Sequence, residues 1–279
     1  MATTVQGRAA CTVGIAPMRS EASHRAEQIS QVLFGECVEI LENGPGSWQR
    51  VRSIFDNYEG WCQSVQFTPV QKANVARGAK WYATAPDNRI ITEAGAAVPV
   101  PPGSALWPLK SGRIVLGDMQ GTFRGKKKSV ANLIYSPEAV SKWALMYMGA
   151  PYLWGGRTPA GIDCSGLAQM VGRFCGTALP RDAWQQAEQG EEVSFLEMVQ
   201  PGDLAFFDND AGRIVHVGIL LSENSIVHAT ETAGRVVMDK IDAGGIISIS
   251  MRKRTHRLRV IRRITAGAPG IKREKNVLF

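Results

Sequence analysis

The sequence has no long apolar run, no closely spaced cysteine pair and only four histidines. A membrane-spanning helix needs about 20 consecutive apolar residues, and no stretch of the chain approaches that length. The first residues lack the basic start and apolar core of a secretory leader. We therefore expect no membrane span. The compartment stays open between the cytoplasm and, if a leader has been removed, the cell envelope or the exterior.

The five cysteines are widely spaced and include no C-x-x-C pair, which argues against both a disulfide framework and a structural zinc site. Four of them have no motif around them, and we interpret these as small buried apolar residues: Cys11, Cys37, Cys62 and Cys175. The fifth, Cys164, has different surroundings.

A hydrophobic content of 44% and a charged content of 20% over 279 residues indicate an ordinary globular chain of two or three units. The net charge of +7 raises the question of nucleic-acid binding. However, the basic residues of 252–259 alternate with apolar ones, as on the solvent face of an edge strand. We expect no nucleic-acid partner. His24 and His256, which lie in no motif, are predicted to be surface residues.

Residues 1–133 contain short alternating runs that are separated by turn clusters, as in small β barrels. One barrel is predicted over 1–70 and a second over 71–133. The strand-like runs that carry this prediction are 36–41, 48–52, 60–63 and 112–117.

The pattern changes at Ser136-Pro137, where a cap residue and a proline at the first helical position predict a helix start. Strand-like runs return from Leu204 onward. This segregation of helices and strands predicts an α+β domain over 134–265. The basic tail 266–279 is expected to be loosely docked or disordered.

Cys164 stands at a glycine-rich entry into a helical run, in the sequence Gly161-Ile-Asp-Cys-Ser-Gly166. Asp163 is the predicted N-cap, which places Cys164 in the first turn of the helix. There the unpaired N–H groups and the helix dipole favour a thiolate. We therefore expect an ionised, nucleophilic sulfur.

Two histidines follow in separate strand-like runs, His216 in 213–221 and His228 in 225–229. If the strands are antiparallel neighbours, the two rings come close together, with His216 as the general base and His228 fixing its tautomer. A mononuclear zinc on Cys164, His216 and His228 is the alternative for the same residues. The nucleophilic interpretation requires neither a metal nor an organic cofactor.

The motifs Asp-Cys-Ser-Gly at 163–166 and His-Val-Gly-Ile at 216–219, followed by a strand with a third polar residue, resemble the NlpC-type cell-wall cysteine peptidase family. The resemblance covers 134–265 and implies a papain-like core, preceded here by two small SH3-like β barrels. It also implies that Cys164 is the nucleophile, His216 the base and His228 the orienting residue. Tyr152 would be a donor near the oxyanion.

One subgroup of that family cleaves the stem peptide of peptidoglycan between γ-D-glutamate and the diamino acid and requires a free N-terminal L-alanine. The Arg181-Asp182 pair is similar to an element of this subgroup, so Asp182 and Ser165 are candidate acceptors for the substrate ammonium. Tyr58 and Glu27 of the first barrel are matched to the same pocket. Such acceptors make sense because a buried ammonium ion is costly unless it is paired.

Two other functions are compatible with the sequence. The same core could support a different acyl-transfer enzyme, an amidase or a transferase. Alternatively, the barrels could retain a catalytically silent protein at the cell wall. The sequence leaves the accepted diamino acid and the oligomeric state open.

Overall fold

The computed structural model describes residues 4–264, and the predicted basic tail lies outside them. These residues divide into two compact units, one ending at Leu133 and the other beginning at Ile134. Within 4–264, no helix combines the length and the apolar character that crossing a bilayer would require.

The N-terminal unit begins with a seven-stranded antiparallel sheet in the order β3-β2-β6-β5-β4-β1-β7. Burial alternates along several of its strands, so that one face of the sheet covers a core that includes Met18, Val51 and Cys62. The predicted strands at 36–41, 48–52 and 60–63 are confirmed. The strands are β1 Gly7–Cys11, β2 Ile15–Arg19, β3 Gln28–Leu33, β4 Cys37–Asn43, β5 Trp48–Ser53, β6 Glu59–Gln63 and β7 Phe67–Pro69.

A second, five-stranded sheet follows in the order β10-β9-β13-β12-β11, beside a separate β8-β14 pair. The bounds are α1 Lys72–Arg77, β8 Trp81–Ala83, β9 Arg89–Thr92, β10 Ala97–Pro99, β11 Leu109–Lys110, β12 Arg113–Leu116, β13 Met119–Arg124 and β14 Lys127–Ser129. Phe34 at the end of β3 lies in one buried cluster with Ile90 and Leu106 of this region. Trp107 Nε1 also donates to the carbonyl of Gly35 at 2.8 Å. The two sheets therefore share a core, and the description of the second as an SH3-like barrel stays a prediction.

The C-terminal unit contains a seven-stranded antiparallel sheet in the order β17-β23-β18-β19-β20-β21-β22. An additional β22–β23 pairing closes β18 to β23 into a six-stranded barrel. Its interior is packed with Phe207, Leu220, Ile226 and other apolar side chains. The strands, after a β15-β16 hairpin at Arg157–Thr158 and Gly161–Ile162, are β17 Glu191–Glu192, β18 Leu204–Asp208, β19 Ile214–Ser222, β20 Ser225–Thr230, β21 Arg235–Asp242, β22 Gly245–Ser248 and β23 Lys253–Arg263.

Three helices precede the barrel strands: α2 Pro137–Leu145, α3 Cys164–Phe174 and α4 Ala183–Ala187. The predicted start of α2 is confirmed, since Ser136 Oγ accepts from the N–H of Ala139 at 3.2 Å. α3 is buried along its whole length and packs against β19. This packing brings the N-terminus of α3 to the strand that carries His216.

The prediction of an edge strand at 252–259 is wrong. β23 pairs with β18 on one side and with β22 and β17 on the other. Its basic side chains still alternate, because barrel closure pairs both edges of the strand but leaves its outer face in solvent. Arg257 on this face donates to Asp208 at 2.8 Å.

Candidate active site

The turn before α3 is organised by Asp163, and the predicted N-cap is confirmed. Asp163 Oδ1 accepts from the N–H of Gly166 at 2.7 Å and Oδ2 from the N–H of Gly155 at 2.8 Å. Arg181 adds two further hydrogen bonds, of 3.1 and 2.5 Å, to the same carboxylate. Cys164 therefore occupies the first turn of α3, as expected.

The thiol of Cys164 is buried, with only 7% of the residue exposed. Burial first, and then the charge of Asp163, raise its pKa to about 12. Hydrogen bonds from the backbone of Val217 and of Ser165 lower the pKa of Cys164, but by less than burial raises it. The expectation of an ionised sulfur is thus wrong for the resting protein, because desolvation outweighs the helix terminus. The Val217 contact places the sulfur one residue along β19 from His216.

His216 and His228 meet as the sequence predicted. β19 and β20 are antiparallel neighbours, and His216 Nε2 lies 2.9 Å from His228 Nδ1. Gly218 makes room for this arrangement, since a Cβ there would approach Ile226 Cδ1 to 2.5 Å and His228 Cβ to 3.1 Å. Burial, and then the charges of His228 and His256, lower the pKa of His216 well below its usual value. His216 is therefore neutral at neutral pH and able to accept a proton.

Asp239 on β21 continues this chain, although the sequence gave no reason to select it. Its Oδ2 lies 3.2 Å from His228 Nε2, and its Oδ1 accepts from the N–H of Ile249 at 2.8 Å. Burial raises the pKa of Asp239, but the hydrogen bonds from His228 and Ile249 outweigh it and hold the pKa below its usual value. The sequence signal that could have indicated Asp239 is its position: it is an acidic residue on the buried side of β21, where it pairs with Ile226.

The prediction that His256 is a surface residue is wrong. Its ring is stacked on that of His216, with centroids 4.2 Å apart and planes at 24°. Its Nδ1 lies 2.9 Å from Thr255 Oγ1. β23 places His256 beside His216 because barrel closure brings the last strand next to the first, a long-range pairing that has no local signature.

The ring nitrogens of His216, His228 and His256 lie within 4.8 Å of one another, so these residues could together bind a transition metal. The set differs from the zinc alternative above, since it contains His256 in place of Cys164. Two of the nitrogens, His216 Nε2 and His228 Nδ1, already pair at 2.9 Å, so one of them carries a proton and the lone pair of the other points at that proton and not at a metal. This geometry favours a hydrogen-bonded imidazole network over a tetrahedral centre.

The remaining predicted residues of this unit lie close to α3. Tyr152 is partly buried, and its pKa is raised by burial and then by the nearby charge of Cys164. Ser165 is buried, donates to Asp163 at 3.2 Å and accepts from Arg181 at 2.8 Å. Asp182 stands at the N-cap of α4, where its N–H donates to Gln185 Oε1 at 3.1 Å.

Tyr58 and Glu27 lie in the N-terminal unit. Tyr58 stands just before β6, packs against the core of the first sheet and donates its N–H to Asp56 Oδ1 at 3.1 Å. Glu27 is exposed, and its carbonyl accepts from the N–H of Ser20 at 3.0 Å. Their role in a substrate pocket stays a prediction.

The interpretation of the four other cysteines as small buried residues is confirmed for three of them. Cys11, Cys62 and Cys175 are buried and Cys37 is partly buried. Burial raises the pKa of Cys37 and that of Cys62 to about 12. Within the described residues 4–264, these four cysteines form no disulfide.

Residues 149–255 match the model of the NlpC/P60 family. The chain carries an NlpC/P60 domain. Residues 18–66 match the bacterial dipeptidyl-peptidase SH3 domain, so the resemblance inferred from the sequence is confirmed. The solved structure of an NlpC/P60 family protein from Bacillus cereus ATCC 10987 shares the fold, with a TM-score of 0.80 at 20% identity over 92% of this chain and 99% of that one.

Two curated relatives extend the comparison. Dipeptidyl-peptidase 6 of Lysinibacillus sphaericus is 28% identical over 255 residues, which cover 82% of this chain and 89% of the relative. The γ-D-glutamyl-L-lysine dipeptidyl-peptidase of Bacillus subtilis is 36% identical over 97 residues. That match covers 34% of this chain and only 32% of the relative, so the chain spans about a third of the relative's length.

Proposed function

We propose that this NlpC/P60 protein is a cysteine peptidase that hydrolyses the γ-D-glutamyl–diamino acid bond of peptidoglycan stem peptides with a free N-terminal L-alanine. The observation that carries the proposal is the hydrogen-bonded pair His216–His228, in which His216 lies next to Val217 on β19, the strand whose backbone contacts the Cys164 sulfur. The names of the two curated relatives support the substrate class. The papain-like description of the core and the second SH3-like barrel belong to the same proposal.

In this mechanism the thiol loses its proton only as it attacks. The Cys164 sulfur forms a bond to the γ-D-glutamyl carbonyl carbon while its proton passes to neutral His216. The N–H groups of the first turn of α3 and the hydroxyl of Tyr152 donate to the oxyanion. Collapse of the tetrahedral intermediate breaks the C–N bond, and His216 returns the proton to the departing amine. Water, activated by the same imidazole, then hydrolyses the thioester.

The specificity for a free amine would come from Asp182, with Ser165 as a second acceptor. Arg181 donates to Asp163 and Ser165, and its positive charge suits it to hold these groups rather than to bind an ammonium ion. A substrate whose alanine is acylated would leave the acceptors without a partner. Sites of this kind can discriminate by about 10⁴-fold. Tyr58 and Glu27 are proposed to contribute to the same selection.

The test is hydrolysis of L-Ala-γ-D-Glu-diamino acid tripeptide, followed by mass spectrometry, with free and N-acetylated substrate. We expect cleavage of the free form only, and its complete loss in Cys164→Ala. Cys175→Ala is the matched control, because Cys175 is a buried thiol at the other end of the same helix. Hydrolysis by Cys164→Ala at the wild-type rate would refute the assignment.

The same experiment separates the two other functions. An amidase or transferase would yield products of different mass from the same peptides. A catalytically silent wall-binding protein would release no product and would leave Cys164 unlabelled by a thiol-reactive substrate analogue.

A further inference from the structure

We propose that Asp239 is a positioning residue that acts through His228 to place the single proton of neutral His216 on Nε2, which leaves Nδ1 as the bare, proton-accepting nitrogen. The inference rests on the proposed function, because it assigns the base of that reaction to one ring atom. It extends the Cys-His-His set by a fourth member that no short motif marks.

Asp239 is 5% exposed and His228 is fully buried, so water does not compete for the contact between them. Asp239 Oδ1 accepts from the N–H of Ile249, while Oδ2 faces His228 Nε2 at 3.2 Å. An ionised carboxylate can only accept hydrogen bonds. The contact therefore requires the proton of His228 to be on Nε2.

The proton on His228 Nε2 also fixes the proton of the neighbouring ring. A neutral imidazole carries one N–H, so a proton on Nε2 leaves His228 Nδ1 as an acceptor. At 2.9 Å from this atom, His216 Nε2 must be the donor. The one proton of neutral His216 is then on Nε2, and its Nδ1 is bare. Asp239 thus selects the tautomer of His216 without touching the reacting atoms.

The substitution Asp239→Asn should reverse every donor in this chain. The N–H of Ile249 prevents the introduced amide from flipping, because it needs the amide's carbonyl oxygen as its acceptor. The NH₂ group would then point at His228 Nε2 and require that atom to be bare. His228 would carry its proton on Nδ1 and donate it to His216 Nε2, so that the proton of His216 moves to Nδ1 and blocks the base.

The first experiment needs no substrate. Two-bond ¹H–¹⁵N correlation spectra report which nitrogen of each imidazole is protonated, and the four histidines can be assigned by single substitutions. In the wild-type protein we expect the Nε2–H tautomer for both His216 and His228. A proton on Nδ1 of His216, or a doubly protonated His228 at neutral pH, would overturn the inference.

The second experiment compares Asp239→Asn with Asp242→Asn, a carboxylate on the same strand that is exposed and pairs with Arg254. For Asp239→Asn we expect kcat to fall by up to about 10⁴-fold, the loss that accompanies a catalytic histidine held in the wrong tautomer, with KM nearly unchanged and the Nδ1–H tautomer at His216. Asp242→Asn should stay within about twofold of wild type. Unchanged kcat with a folded Asp239→Asn protein would also overturn the inference.

The two proposals fail in different ways. If the wild-type protein cleaves no stem peptide, the proposed function fails while the tautomer spectra still decide the role of Asp239. If the peptide is cleaved and the spectra show the opposite tautomer, only the role of Asp239 fails.

Discussion

At the residue scale, the candidate site pairs a protonated thiol with a neutral imidazole. Burial raises the pKa of Cys164 to about 12 and lowers that of His216 well below its usual value. Both shifts disfavour charge separation before the substrate binds. In the proposed reaction, proton transfer would therefore accompany attack on the carbonyl and would not precede it.

This resting state predicts the pH dependence of alkylation at Cys164. The reactive thiolate fraction grows with pH up to the pKa, so the rate of labelling by iodoacetamide should still be rising at pH 9.5. The measurement is peptide mass spectrometry at pH 6 to 9.5, with glutathione as a reference thiol. A plateau below pH 7 would instead indicate a preformed thiolate–imidazolium pair.

His256 should make folding stability depend on pH. Burial, and then the charge of His228, lower its pKa from 6.5 to about 4. Between these values the unfolded chain binds a proton that the folded chain does not, so stability falls as pH falls through this window, by at most about 3 kcal/mol. His256→Phe keeps a ring against His216 and should lose less stability than wild type between pH 7 and 4.5.

The measurement is thermal unfolding at both pH values, with His24→Phe as the control. His24 is exposed and lies edge-on to Trp48 in the N-terminal unit, so this variant controls for the replacement of a histidine by phenylalanine outside the buried cluster. Equal losses in wild type and His256→Phe would contradict the prediction.

The site residues that could be predicted are those marked by their neighbours along the chain. Cys164 follows a cap residue at a helix start, and His216 and His228 lie in adjacent strands joined by a short turn. His256 reaches the cluster through the long-range pairing of β23 with β18 and β22, for which no local pattern exists. Asp239 reaches it through the pairing of β20 with β21, and its position on the buried side of β21 was the signal that the sequence offered.

At the scale of elements, α3 depends on the turn that holds its first residue. The Arg181–Asp163 pair is buried, with side-chain exposures of 2% and 6%, and joins the turn before α4 to the N-cap of α3. Removing one member of a buried pair leaves the other charge poorly compensated. The position of Cys164 is thus coupled to the segment before α4, which supplies none of the groups proposed to react.

Arg181→Met should therefore destabilise the C-terminal unit by about 3 kcal/mol. Arg254→Met removes an arginine from an exposed pair with Asp242 and should cost less than about 1 kcal/mol. Urea unfolding followed by tryptophan fluorescence compares the two variants. Equal losses in the two would show that the buried pair contributes no more than the exposed one.

Individual strands could be predicted from alternation, and helix starts from cap residues such as Ser136. Which strands lie next to one another in the sheet could not be predicted in this way. The basic alternation of 252–259 has the same form on an edge strand and on the outside of a closed barrel. Only the pairing of β23 with β18, β17 and β22 distinguishes these two cases. The prediction of an edge strand was therefore wrong because the local sequence of 252–259 does not specify which strands pair with β23.

At the scale of the whole molecule, the N-terminal unit has a core that belongs to two sheets at once. Phe34 lies in the cluster that also contains Ile90, Leu106 and Phe123. Sequence patterns predicted two successive barrels because alternation reveals which side chains are buried, but not which ones are buried together. The two sheets should accordingly lose their structure together.

Phe34→Ala tests this coupling. The substitution should cost about 3–5 kcal/mol, and hydrogen exchange should speed up in both β5 and β13. Val115→Ala is the control, since Val115 on β12 is 54% exposed, and its effect should stay within about 0.5 kcal/mol. Faster exchange confined to the first sheet would show that the sheets are independent.

The burial of the Cys164 sulfur also bears on its chemical lifetime. Peroxide attacks thiolates and leaves thiols almost untouched, so a sulfur that keeps its proton until a peptide arrives is slow to form sulfenic acid. Such an enzyme would tolerate oxidising surroundings that rapidly inactivate a preionised cysteine, at the expense of a resting nucleophile that is nearly inert.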